Sequence, residues 1–312
     1  MTELSTRWRA GILVAVTLAA FAPVFNAGLV WNDDDVDDIV GLIDHEGLST
    51  VWLPTKAVNY WPVTWTSYWI EHEIFGSGRS DPTSFHVVNV LVHVLSSLLL
   101  WRILVRLGVP GAWLAALLFA VHPVNVQSVA WVTQRKNVLS LVFYLAAVRW
   151  WLDFEDHGGR GRYLAAIGAF WLGMLSKGAV VACPLVLLLL VWWRRRRITR
   201  QDVVLVLPFL AIAVGMGLIE IWTQHGVRGH ETIRQAGFLQ RSAEAGWIAW
   251  FYLGTACLPV GLSFVYPQWD VTGSGLLAWL PSIVLVAVAW TLWRHRHGRL
   301  RPVTVALAYY LL

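Results

Sequence analysis

The sequence predicts an all-α protein that crosses a membrane many times, and three observations carry that expectation. Apolar residues make up 57% of the 312-residue chain, charged residues only 14%, and the mean hydropathy is +0.57, a balance outside that of ordinary soluble domains. Apolar runs recur along the whole length, several of them near the roughly 20 residues that a spanning helix needs. Basic residues collect at the ends of those runs, as in RRRRITR at 194–200 and RHRHGRLR at 294–301, the usual mark of cytoplasmic flanks. The net charge of +5 therefore reports membrane orientation and gives no ground for a nucleic-acid partner. A polytopic bundle of about eight to ten membrane helices is expected.

Each run follows from that reading. The first, at 10–30, comes after Arg7 and Arg9 with no small-residue cleavage site, so it reads as an uncleaved anchor with a cytoplasmic N-terminus. It delivers residues 32–84 as a long exoplasmic first loop. The run at 87–105 returns to Arg102 and Arg106, the run at 113–121 leads out to His122, and the run at 138–152 comes back to DFEDHGGRGR at 153–162. The runs at 163–175 and 179–193 are each about 20 Å long, short for about 30 Å of hydrocarbon. The SKG turn between them, at 176–178, is thus expected below the membrane surface, with Lys177 recessed. After the outward run at 203–222 the alternation of sides fails to close, because 276–293 must start outside for its basic end to lie inside. The segment 242–258, rich in Trp and Tyr and ending at Pro259, is therefore expected to be interfacial or re-entrant. Cys183 and Cys257 lie inside apolar runs and form neither a thiol-pair motif nor a disulfide framework. The last run, at 302–312, stops in mid-helix, so the sequence is expected to be a piece of a longer chain.

Polar groups collect at four outward-facing places: the aspartates Asp33, Asp34, Asp35, Asp37 and Asp38; NYWPVTWTSYWIEHEIFG at 59–76; VHPVNVQSVAWVTQRKN at 121–137; and Ser176 with Lys177. His86, Asn89 and His93 recur at i, i+3 and i+7 on one side of the second helix. Polar groups at such depth line a bundle interior or an aqueous cavity, and with Trp61, His122 and Gln127 they form the expected substrate cavity. Adjacent carboxylates repel one another, so at least one should take a proton or sit beside a cation. Arg135, Lys136 and Lys177 are the candidate cations, facing outward against the usual bias. A carboxylate that accepts a proton and cations that grip phosphate suit group transfer from a lipid phosphate. The plainer readings are a solvated turn for the aspartates, snorkelling for Arg135 and Lys136, and interhelical hydrogen bonds for His86 and His93.

In order along the chain, VWNDDD, NYWPVTWTSYWIEHEIFG, FHVVNVLVH, FAVHPVNVQSVAWVTQRKNVLS, GMLSKGAVVACPLVLLLL and LPVGLSFVYP resemble the membrane portion of bacterial tetratricopeptide-repeat glycosyltransferase-like proteins. These are similar to the transmembrane and tetratricopeptide-repeat O-mannosyltransferases, and both look like members of the GT-C superfamily. The resemblance covers roughly residues 10–270. It implies a bundle of GT-C type over residues 1–312 and an enzyme on the exoplasmic face of the cytoplasmic (inner) membrane. A polyprenyl-phosphate sugar is the implied donor and a hydroxyl, expected on a protein, the acceptor. It also implies that Asp33, Asp34 and Asp35 fall on the catalytic acidic motif and that tetratricopeptide repeats follow residue 312. Gln127, Gln134 and Asn137 stand where members usually carry acidic groups, and Gly178 where they carry Pro or Glu. Those swaps weaken the case for a divalent metal shared between loops, and no other cofactor is implied.

The expected mechanism is inverting transfer. An aspartate, by preference Asp34 because it lies near the end of the first helix, deprotonates the acceptor while Arg135, Lys136 and Lys177 stabilise the departing phosphate. Two rivals differ in class. A transporter or lipid-carrier flippase calls for ionisable residues near mid-membrane in both halves, or an inverted repeat, and the sequence carries neither. A catalytically inactive scaffold presenting the repeats calls for neither. The topology is directly testable: a reporter fused after Asp81 is expected to read exoplasmic and one after Arg197 cytoplasmic, and a cytoplasmic Asp81 puts the aspartates on the wrong side for a flipped lipid donor.

Overall fold

The computed structural model describes residues 3–54, 59–227, 237–263, 266 and 272–312, and among them all regular secondary structure is helical. The chain divides into two compact units, Met1–Leu188 with Ile198–Gly229, and Leu189–Arg197 with His230–Leu312. Among the described residues five helices are long and apolar enough to cross a membrane, or six if one bent pair counts as a single span. The chain is an integral membrane protein. The larger expected number included segments that are shorter or more polar than a span requires. The helix Glu3–Ala20 carries Arg7 and Arg9, and the helix Arg160–Ser176 has 17 residues, about 25 Å at 1.5 Å per residue.

The first unit begins with α1 (Glu3–Ala20). The predicted first loop is not extended: it folds into α2 (Asp34–Glu46), α3 (Ser49–Trp52) and α4 (Pro62–Phe75). Beneath its exposed charges α2 is amphipathic, with Val36, Val40 and Ile43 buried at the spacing of one helix face. They pack with Val51, Trp65, Tyr68, Phe85 and Val132 into one core. The loop is thereby a helical cap seated on the membrane helices.

Below it run α5 (Thr83–Arg106), α6 (Ala112–Val121), α7 (Val126–Ala130), α8 (Arg135–His157) and α9 (Arg160–Ser176). The segments Ala112–Val121 and Pro123–Ala130 meet at a 47° bend, because Pro123 supplies no backbone N–H and restricts the residue before it. Helices α8 and α9 form a hairpin through Gly158 and Gly159, with φ of 63° and 95°, a turn that side chains other than hydrogen disfavour. Helices α5 and α8 run parallel, bolted at both ends. Arg106 at the end of α5 binds Asp156 of α8 at 2.6 Å and also Asp153, while the start of α8 is tied to the start of α5 through Arg135. The break expected at 176–178 is present: α9 ends at Ser176, Lys177 is extended, and the chain resumes in α10 (Cys183–Arg195), although Gly178–Arg195 is long and apolar enough to cross a membrane, where a shorter arm was expected. Helix α11 (Arg200–Val227) completes this unit, its Phe209 ring meeting Trp151 edge-on at 5.6 Å.

The second unit contains the end of α10, α12 (Phe238–Cys257), α13 (Leu280–Arg294) and α14 (Arg301–Leu311). The segment expected to be interfacial or re-entrant is one continuous helix, α12, and it is not among the apolar spans. Of the loop expected at 223–241, residues 228–236 lie outside the described residues, as do 267–271 further on. Helices α12 and α13 approach closely at Gly246, where a Cβ would stand 2.5 Å from the Ser282 nitrogen and 2.8 Å from its Cα. The Trp247 and Trp250 indoles donate to the carbonyls of Ala278 and Pro281 at 3.1 and 3.0 Å.

Backbone leaves Gly246 no room to yield, so Gly246→Val is expected to lower stability by about 1–3 kcal/mol. The control is Gly254→Val on the same helix, where nothing lies within 4 Å. Thermal unfolding of the detergent-solubilised protein compares them, and equal losses would place the α12–α13 contact elsewhere.

Candidate functional site

Three consecutive aspartates take three different environments. Trp31 adopts φ of 55°, a left-handed conformation that reverses the chain and turns Asp33 inward, to 1% exposure. Its two carboxylate oxygens accept the backbone N–H of Thr133 at 2.8 Å and of Val30 at 3.0 Å. Thr133 also donates through its hydroxyl to Asn32 at 3.2 Å. The exit from the first helix is thus stapled to the turn that precedes Arg135. Asp34 is exposed and ion-paired with Arg79 at 3.1 Å, which also donates its backbone N–H to Asp37 at 2.8 Å. The cation expected near the acidic run is therefore Arg79. Asp35 is exposed and accepts from the Asn32 amide at 2.9 Å. Asp34, Asp35 and Asp37 also occupy the first turn of α2, where negative charge complements the helix dipole.

The neighbouring cations divide as sharply. Arg135 is 1% exposed, and its guanidinium donates to Glu71 at 2.6 Å, to the Asn89 side chain at 2.8 Å and to the Phe85 carbonyl at 2.9 Å. It lies 4.3 Å from the centre of the Tyr68 ring. Glu71, itself 4% exposed, takes a second hydrogen bond from Ser84 at 2.7 Å. Burial pushes the Tyr68 hydroxyl well above the ordinary phenol range, so it stays a donor, to the Val132 carbonyl at 2.5 Å. Arg135 is therefore a brace inside the protein and not a free cation beside Lys136.

Lys136 faces another way. Its ammonium sits 4.3 Å from the centre of the Trp61 ring, a cation–π contact, and among the described residues it makes no hydrogen bond. The charges of Lys177, Asp35 and Asp33 act on it through space. Lys177, in the extended break after α9, donates to Asn137 at 2.5 Å. Thr64 of α4 holds that break by donating to the Ser176 carbonyl at 3.0 Å. The Glu220 carboxylate fills the space where a side chain on Gly178 would stand and acts on Lys177. Two lysines, Trp61 and Asp35 thus share one neighbourhood, held by the cap above and by the α9–α10 turn.

The polar stripe on α5 faces inward as its spacing predicts, with His86, Asn89 and His93 at 1%, 0% and 1% exposure. Two of the three are occupied by the protein. The Asn89 side chain serves Arg135, and the His93 ring bonds the Ala120 carbonyl at 2.8 Å between Phe21 and Phe119. Neither ring nitrogen of His86 has a hydrogen-bond partner in reach, although the Asp33 carboxylate and the backbone of Ala27 and Ala130 act on the ring. His122 caps the bend after α6 by accepting from Val124 at 3.3 Å, and Gln127 is exposed on α7. An open cleft of about 500 Å³ is lined by Asp37, Asp44, His72 and Arg79, among others. No group of three His, Cys, Asp or Glu side chains converges as metal ligands among the described residues.

Sequence reasoning did not single out Glu71, Arg79 or Glu220. Glu71 had one visible signal, since it follows the aromatic Trp65 and Tyr68 at three-residue intervals on a single helix face.

The sequence matches the profile of dolichyl-phosphate-mannose-protein mannosyltransferases over residues 62–222, a stretch holding Glu71, Arg135, Lys136 and Lys177. The mouse (Mus musculus) protein O-mannosyl-transferase TMTC4 is 29% identical over 164 residues, 44% of this chain and 22% of that protein. The mouse protein O-mannosyl-transferase TMTC2 is 32% identical over 117 residues, 37% of this chain and 13% of that protein. A protein O-mannosyl-transferase of Caenorhabditis elegans is 32% identical over 95 residues, 29% of this chain and 13% of that protein. The matched stretches thus span 13–22% of the length of these relatives. No solved structure matches the chain.

Glu71 and Arg135 can be tested as one unit. Removing one partner of a buried pair leaves the other charge uncompensated, at about 3–5 kcal/mol. Arg135→Met is expected to destabilise by that amount, and Glu71→Gln with Arg135→Met by less than the sum of the two single changes. Strict additivity in thermal or denaturant unfolding would show that the pair is not coupled.

Proposed function

Because this chain belongs to the dolichyl-phosphate-mannose-protein mannosyltransferase family, we propose that it is a membrane glycosyltransferase that moves a mannosyl group from a polyprenyl-phosphate donor to a protein hydroxyl. The reaction takes place on the exoplasmic face of the inner membrane, with the N-terminus cytoplasmic. The observation that carries this reading is the Lys136 ammonium: half-buried, free of hydrogen bonds among the described residues, stacked on Trp61, and within the fields of Lys177 and Asp35. An uncommitted ammonium beside a second one suits an anionic phosphate, to which lysine binds as a point charge.

Asp35 is the base in this proposal. Asp33 already spends both oxygens on backbone donors, and Asp34 is paired with Arg79, whereas Asp35 is exposed and acts on Lys136. The acceptor oxygen attacks the anomeric carbon as its proton passes to the Asp35 carboxylate. The bond from that carbon to the phosphate oxygen breaks, and the polyprenyl phosphate leaves with the electron pair, its charge met by Lys136 and Lys177. One displacement inverts the anomeric centre.

Single Asn variants at Asp33, Asp34, Asp35, Asp37 and Asp38, assayed in membranes with a labelled lipid-linked mannose, test the assignment. Asp35→Asn is expected to keep donor binding and lose transfer by about 10² to 10⁴. Lys136→Ala and Lys177→Ala are expected to raise the donor concentration needed for half-maximal rate more than the acceptor concentration. Wild-type transfer in all five Asn variants would sink the catalytic reading and bring the inactive scaffold to the front.

A further inference from the structure

The second unit brings together two basic runs that lie about a hundred residues apart in sequence. Two apolar spans, Gly178–Arg195 and Leu277–Arg294, end at this point, so it lies where membrane helices meet water. The Trp192 carbonyl accepts both the Arg196 backbone N–H at 2.9 Å and the Arg301 guanidinium at 3.0 Å. Trp192 stacks on Trp293 at 6.4 Å, and the Arg296 guanidinium lies 4.3 Å from the Trp293 ring centre. Arg301 lies 5.1 Å from the Trp193 ring. The guanidiniums of Arg296 and Arg301 are therefore organised on three indoles, with the Arg196 backbone fixed to the same turn.

Like charges are held together here. Arg196 repels Arg301 and itself sits at φ of 60°, a conformation that residues other than glycine seldom adopt. The Arg301 Nε is buried with no hydrogen-bond partner. Among the described residues of this unit Glu244 is the one carboxylate, and it belongs to the opposite end. It lies two residues after Ser242, whose carbonyl meets Ser282 at the start of α13, and Arg294 is about 18 Å further along that helix.

We infer that this cluster is a binding site for the phosphate headgroup of an anionic membrane phospholipid. Arginine suits phosphate recognition, basic pockets between membrane helices take anionic headgroups, and indoles favour the interfacial layer. Trp290 and Trp293, 61% and 53% exposed, offer apolar faces beside the charges, which a lipid uses and a free phosphate ion does not. The inference is independent of the glycosyltransferase reading.

The test is lipid retention by the full chain, purified in neutral detergent and exposed to equal amounts of phosphatidylglycerol and phosphatidylcholine with matched acyl chains, read by native mass spectrometry. Phosphatidylglycerol is expected to be retained preferentially, and the preference to fall roughly fivefold in Arg196→Gln and again in Arg301→Gln. Arg301→Lys, which keeps the charge, is expected to retain most of it. Arg160→Gln, which removes an exposed charge from the first unit, is expected to leave it unchanged. Equal retention of the two lipids, an undiminished preference in Arg196→Gln, an equal loss in Arg160→Gln, or displacement of the lipid by millimolar inorganic phosphate would each overturn the proposal.

Discussion

A guanidinium sealed between a carboxylate, an amide, a backbone carbonyl and a phenol ring joins the first-loop cap to the membrane helices. Arg135 belongs to α8, Glu71 to α4, and Asn89 and Phe85 to α5, so three elements meet at one charged group. Removing two charges from water costs several kcal/mol per ion, offset only where geometry and further hydrogen bonds are complete. Here they are nearly complete: Glu71 has Ser84 as a second donor, Asn89 reaches the Val132 carbonyl, and Tyr68 supports both the guanidinium and that carbonyl. An arrangement this demanding admits little sliding of the cap over the bundle.

The orientation of the candidate site follows from that brace. Successive helical residues are rotated by about 100°, so turning Arg135 inward at the start of α8 turns Lys136 out, toward Trp61 and Lys177. Asp33 acts similarly on its side. Once its oxygens hold the Thr133 and Val30 backbone, α2 must begin just beyond it, and Asp35 is presented on the exposed first turn. Buried members of each motif thus position exposed ones, and the residues left open to a ligand are those the packing does not use.

The membrane helices repeat this economy at their other end. Arg106 binds Asp153 and Asp156 beneath the bundle, so α5 and α8 are joined by charged contacts where each enters and leaves the apolar layer, with apolar packing between. In the second unit tryptophans fill the same role, donating their N–H groups to carbonyls at the start of α13 and cradling arginines at its end.

Hydropathy and periodicity alone determined the helical class, the break in helix at Lys177 and the inward face of His86, Asn89 and His93, because these properties depend on residues within a few turns of one another, whereas the number of spans came out lower than the apolar runs suggested. The folded cap was less legible. The charge of residues 33–38 masks the apolar face of α2, and Glu71 resembles any glutamate on a loop. Tertiary structure alone decided between Arg135 and Lys136, adjacent and alike in sequence, and among three consecutive aspartates. The deciding partners lie far away along the chain: Glu71 is 64 residues from Arg135, and Thr133 is 100 residues from Asp33. Whether a charge is buried and paired or left open to a ligand depends on which surfaces the fold brings against it, and no local pattern carries that information.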